Sequence, residues 1–155
     1  MMRQRRAAVA MAAVLVAGLM SVVGGASAAS AGRTMHLYGG MYAMKASGAA
    51  TVTKVGAGDY SISIVATGLP SPRTLKVKPQ RRTYLAWVID GKNPKGMMGV
   101  LHLTYSPATG HYAAKGMVML AHVTQIIVTA DTKATQQMPT MPMAGVLNSN
   151  ASGKM

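Results

Sequence analysis

Read for the spacing of its apolar positions, the chain is one long apolar run followed by short alternating segments. Residues 7–23 are continuously apolar and rich in Ala, Val and Leu. Beyond them apolar and polar residues alternate with a period near two, which predicts strands with two unlike faces. Tyr60, Ile62, Ile64 and Ala66 fall on one face of such a segment, Ser61 and Ser63 on the other. Residues 51–55 precede it across Gly56-Ala57-Gly58-Asp59, so the pair predicts a hairpin. Thr83–Ile89 is apolar on both faces and should be central in its sheet. Residues 100–105 and 111–119 flank the turn 106–110 as a second hairpin. Residues 123–130 add a strand, and Val146-Leu147 closes the sheet after a Pro-Met loop. Gly and Pro punctuate the chain between these segments, and no stretch after Ala29 carries a helical period. This spacing predicts an all-β protein: a single antiparallel β-sandwich of about seven short strands.

The apolar run has the layout of a secretory leader. Arg3, Arg5 and Arg6 precede it, and Ala26-Ser27-Ala28 follows as a small-x-small cleavage site. The 17 apolar residues could nearly span a bilayer as an uncleaved anchor, but the Gly24-Gly25-Ala26 break and the cleavage site argue for removal. The expected division is residues 1–28 as leader, 29–147 as the sandwich and 148–155 as a polar, disordered tail. The expected destination is the periplasm or the cell exterior.

Composition narrows the chemistry. The chain has 155 residues and no Cys, which excludes disulfides, thiolate metal sites and thiol catalysis. It has 16 Lys plus Arg against three acidic residues, Asp59, Asp90 and Asp131, for a formal charge of +13. Paired-carboxylate catalysis therefore has almost nothing to draw on. Asp59 and Asp90 fall in turns, where Asp bonds its own backbone. Nucleophile elbows, zincin motifs and phosphate loops are absent from the sequence. No enzyme is expected. An exported protein is also not expected to meet nucleic acid. A chain with so few carboxylates loses little stability when they protonate, which suits the exterior of an acidophile. An acid melt collapsing between about pH 5 and 3 would contradict that idea.

An ordered set of features carries a resemblance. Gly68-Leu69-Pro70-x-Pro72 is followed by Tyr84-x-x-Trp87-Val88-Ile89 and Gly99-Val100-Leu101. Then come Ile127-Val128-Thr129-Ala130-Asp131, Met138-Pro139 and Met141-Pro142. Over residues 65–147 the chain resembles the extracytoplasmic C-terminal domain of anti-sigma-K-type factors. Asp131 stands where that family usually has Glu, and Thr132-Lys133-Ala134 replaces its Gly-Gly-Ser. Only six residues precede the apolar run, so a sigma-binding domain is not expected here. The resemblance implies a sandwich with a sensory or binding role. Trp87, on a central strand, is expected to pin the core.

Two groups of residues suggest ligands. Eleven of the fifteen methionines follow the leader, several in close pairs: Met41-x-x-Met44, Met97-Met98, Met117-x-Met119 and Met138-x-x-Met141-x-Met143. Thioether and imidazole both suit copper. Met138, Met141 and Met143, with His122, His102 and His111, are the candidate metal ligands. The competing reading makes methionine a flexible core filler in place of Phe and Leu. Met117 and Met119 share a face, which burial would explain. His102 and His111 flank the 106–110 turn and could face one another. The second group is Arg73, Lys76, Lys78, Arg81 and Arg82, five cations in ten positions, a candidate patch for anionic envelope surfaces. The leading expectation is a non-catalytic exported binding or sensory module without a cofactor and with an unidentified protein or envelope partner. The alternatives are a periplasmic copper-binding protein and an envelope-associated protein.

Overall fold

A computed structural model describes residues 31–93, 97–133 and 145–149. Eight strands follow in chain order: β1 (Arg33–Gly39), β2 (Ser47–Lys54), β3 (Asp59–Thr67), β4 (Thr83–Ile89), β5 (Met98–Ser106), β6 (His111–Met119), β7 (Gln125–Asp131) and β8 (Gly145–Asn148). One 3-10 turn, Pro72–Thr74, lies between β3 and β4. Every pairing is antiparallel, and the order β1-β2-β3-β6-β5-β4-β7-β8 closes on itself where Tyr38 pairs with Asn148 and Gly39 with Leu147.

The fold is therefore a closed barrel, which corrects the expected open sandwich of about seven strands. The strand missing from that expectation is β1. Only Met35 and Leu37 give it an apolar alternation, yet Leu37 is buried in the core and β1 supplies both closing partners. Short strands at regular spacing suit a sandwich and a barrel equally. What separates them is the pairing of β1 with β8 across most of the chain, and no local pattern records that. The last strand takes in Asn148, one residue beyond the expected domain end, and Ser149 after it bonds both ways with Ile126. Residues 1–30, which include the expected leader, and residues 94–96, 134–144 and 150–155 lie outside the described residues.

Alternation puts one face of each strand into the barrel. Leu37, Ala50, Val52, Ile62, Ile64, Ala66, Tyr84, Ala86, Val88, Leu103, Ala114, Val118, Ile126, Val128 and Ala130 form one buried cluster. Each large aliphatic member contributes roughly 1.5–3 kcal/mol. Ser61, Ser63, Thr51, Thr53 and Lys115 stand on the other face of their strands. Apolar-in and polar-out is the reverse of a barrel that meets lipid.

The β4–β7 sector is buried on its outer side as well. Leu85, Trp87, Ile127, Thr129 and Asp131 are shielded there together with Arg81. Trp87 is thus fully buried but outside the barrel core it was expected to pin. Its Nε1–H donates to Thr129 Oγ1 at 2.7 Å, and the Thr129 hydroxyl donates to Asp131 Oδ2. The Tyr-x-x-Trp and Val-Thr-Ala-Asp motifs that carry the resemblance are therefore paired strands joined by a hydrogen-bond relay.

Candidate anion-binding cleft

The antiparallel register assigns the loops to two ends. One end gathers the start of β1, the β2–β3 turn, the β4–β5 turn and the β6–β7 connection. The other gathers the β1–β2 loop, the basic 73–82 segment and the β5–β6 turn.

At the first end lies an open cleft of about 470 Å³ lined by Ala31, Arg33, Val52, Lys54, Tyr60, Lys92, His122, Val123 and Thr124. Three obligate cations and an imidazole thus share one concave surface whose lining includes no carboxylate. Each comes from a different place in the chain: Arg33 opens β1, Lys54 ends β2, Lys92 sits in the β4–β5 turn and His122 between β6 and β7.

Local hydrogen bonds fix this rim. Asp90 is fully buried directly behind it. Its Oδ1 accepts from the Lys92 amide at 3.1 Å, and its Oδ2 accepts from the His122 amide at 3.2 Å. The same Oδ2 stands 3.7 Å from His122 Nδ1. One carboxylate therefore ties together the two turns that carry Lys92 and His122. Thr124 Oγ1 repeats the tie, accepting from the Gly91 amide at 2.7 Å and donating to the Ile89 carbonyl at 3.0 Å. Arg33 Nη2 donates to the Val123 carbonyl at 2.6 Å and lies 3.4 Å from Met35 Sδ. A guanidinium offers five donors, so these contacts orient the group without exhausting it. Tyr60 Oη donates to the Ala121 carbonyl at 3.2 Å. Convergent cations on a backbone rim fixed in this way suit an anion, which can take charge-assisted bonds from several of them at once.

The residues expected from sequence are distributed otherwise. Arg73, Lys76, Lys78 and Arg82 are exposed at the far end, whereas Arg81 is 1% exposed, with Nε and Nη1 lacking partners among the described residues. The five do not share one surface. Of the histidines, only His122 lines the cleft. His102 is exposed on β5 and its Nε2 bonds Thr83 Oγ1. His111 pairs with Ser106 beside the turn, so His102 and His111 do not face each other. Met138, Met141 and Met143 lie outside the described residues. The flanking residues Asp131 and Gly145 stand at the opposite end from His122. Among the described residues no three His, Asp or Glu side chains gather as a metal site.

The described methionines run against the core-filler expectation. Met41, Met44, Met97, Met98, Met117 and Met119 are all exposed, and Met35 is only half-buried.

Fold and site together define a small closed antiparallel barrel with a basic cleft at one end. Comparisons with protein-family models, with curated proteins and with solved structures find no match.

Proposed function

We propose that the chain is an exported, non-catalytic binding module that captures a small anionic ligand, bearing phosphate or carboxylate groups, in the Arg33 end of the barrel. The observation that carries this reading is the convergence of Arg33, Lys54, Lys92 and His122 on one cleft whose rim is tied down by buried Asp90. Export rests on the leader. The resemblance to the outer domain of anti-sigma-K-type factors supports a sensory use of the bound ligand. The non-catalytic part is supported by the state of the lining hydroxyls: Thr124 and Tyr60 are both committed to backbone partners, so neither is set up as a nucleophile.

A second reading, contact with an anionic envelope surface through Arg73, Lys76, Lys78 and Arg82, draws on their exposure at the opposite end. Amide NMR during titration with pyrophosphate and with citrate separates the two. Shifts centred on Arg33, Lys54, Lys92 and residues 122–124 are expected. Shifts confined to residues 73–82, or none, would overturn the cleft reading.

A further inference from the structure

Hydrogen-bonded pairing between β5 and β6 is short, running only from Thr104–Ala113 to Ser106–His111. Two glycines carry the same register further. A Cβ on Gly99 would lie 2.6 Å from Val118 Cγ1, and a Cβ on Gly116 would lie 2.6 Å from Leu101 Cδ2. At Gly99 any side chain would drive into the stiff Val118, and at Gly116 it would displace the end of the Leu101 side chain. Inside the seam, Gly99 therefore faces Val118 and Leu101 faces Gly116. Alternation turns the intervening residues outward. The continued register sets Met98 beside Met119 and Val100 beside Met117 on the outer face. Their exposures there are 38%, 80%, 38% and 64%.

These methionines do no packing work in the barrel. Val118, between Met117 and Met119, is the residue β6 sends inward, and Lys115 marks their face as the solvated one. Met117 and Met119 are two residues apart on one strand, about 7 Å along it. Hydrogen-bonded pairing ends at Thr104–Ala113, but the close approach of Gly99 to Val118 keeps the two strands in contact at the level of Met98 and Met119. Each methionine has three rotatable bonds, so three thioethers on this lattice can converge on one point.

We propose that Met98, Met117 and Met119 form a Cu(I) site on the outer face of the β5–β6 seam. Thioether sulfur is soft and selects Cu(I) over harder cations. In a chain without cysteine it is the one soft sulfur available. Thioethers carry no proton to lose, so the site binds without proton release and holds its ion in acid. Asp59, the register partner of Met119 on β3, brings one of the three carboxylates of the chain beside the monovalent ion. The site is separate from the anion cleft and does not depend on it.

The test is anaerobic Cu(I) titration of the chain against bicinchoninate, with methyl-labelled methionine NMR. The expected result is one tightly held Cu(I), with the methyl signals of Met98, Met117 and Met119 moving together. Met117→Leu/Met119→Leu keeps the exposed apolar volume. It should leave the melting temperature in place and weaken binding by more than the roughly 10–100-fold that loss of an outer-shell partner costs. Met138→Leu/Met141→Leu/Met143→Leu should leave affinity unchanged. No retention against bicinchoninate, an unaffected Met117→Leu/Met119→Leu variant, or loss in the 138/141/143 variant would each overturn the assignment.

Discussion

The two ends of the barrel are both basic, and they differ in what holds the charge. At one end Arg33, Lys54, Lys92 and His122 arrive from four separate connections onto one cleft, where buried Asp90 ties the Lys92 and His122 turns and Arg33 bonds the Val123 carbonyl. At the other end Arg73, Lys76, Lys78 and Arg82 are adjacent in sequence and exposed. That end has an anchor as well, a cluster of tyrosines. Tyr84 Oη donates to the Pro70 carbonyl at 2.8 Å, and the Tyr84 ring stacks edge-on against Tyr112, which in turn meets Tyr105. The tyrosines fix the Gly68–Pro70 step, and in the segment after it Pro72, Leu75 and Arg81 are buried while Arg73, Lys76, Lys78 and Arg82 face solvent. Density of charge along a chain is thus a poor guide to density of charge in space. A binding site needs its charges gathered on one surface, and a fixed rim lowers the ordering cost of about 0.5–1.5 kcal/mol per side chain.

The sharpest way to break this contrast is to remove the anchor of the first end. Asp90→Ala takes the carboxylate from the part-buried amides of Lys92 and His122, a loss of up to about 1–3 kcal/mol each. Urea unfolding should show a loss of about 2–5 kcal/mol, and pyrophosphate affinity should fall with it. An Asp90→Ala protein as stable as the parent would remove the carboxylate from the account.

Next in size are the cations themselves. Lys54→Gln and Lys92→Gln should each weaken pyrophosphate binding about tenfold, the equivalent of about 1.4 kcal/mol, with melting temperature unchanged. Calorimetric titration checks this, and unaltered affinity in both variants would count against the cleft.

The tyrosine anchor of the second end has its own signature. Burial, with a smaller contribution from Tyr112, pushes the Tyr84 hydroxyl well above its ordinary value of 10.0. Burial likewise raises Tyr112, with Tyr105 adding to it. A pKa raised on folding means that the folded chain keeps protons the unfolded chain releases. The stability involved is fully present below pH 10 and is lost as pH rises above it. Near-ultraviolet circular dichroism should therefore follow an alkaline transition that starts above pH 10, and Tyr84→Phe should flatten it. At neutral pH the same substitution should cost only about 0.5–1.5 kcal/mol. An equally steep alkaline loss in Tyr84→Phe would assign the transition elsewhere.

The smallest effect is expected from the exposed loop. Arg73→Gln, Lys76→Gln and Lys78→Gln together should change stability by no more than about 0.5 kcal/mol per site.

Much of this architecture was written in local pattern. The hairpin of β2 and β3, the inward face of Ile62, Ile64 and Ala66, and the doubly buried β4 follow from alternation alone. Closure does not, because it depends on Gly39 meeting Leu147, and distant pairing leaves no periodic trace. The face of β6 was equally hidden. Its two alternating sets are both apolar at the end, and Met117 and Met119 are the bulkier pair. The one discriminating residue is Lys115, which shares their face and marks it as solvated. Asp90 was half legible. Its turn bond to the Lys92 amide is the local role that Asp plays in turns, but the bond to the His122 amide, 32 residues away, appears only in the fold. The cleft cations gave no warning for the same reason: each is solitary in sequence.

One measurement bears most directly on the central claim that charges converging in space, not merely close in sequence, make the site. Pyrophosphate affinity would be compared in Lys54→Gln/Lys92→Gln and in Arg73→Gln/Lys76→Gln/Lys78→Gln, at one ionic strength. The account requires a loss of about a hundredfold in the first, two tenfold steps, and less than about twofold in the second despite its greater loss of charge. Equal losses scaling with the number of cations removed would show that net charge alone draws the anion, and would contradict the account.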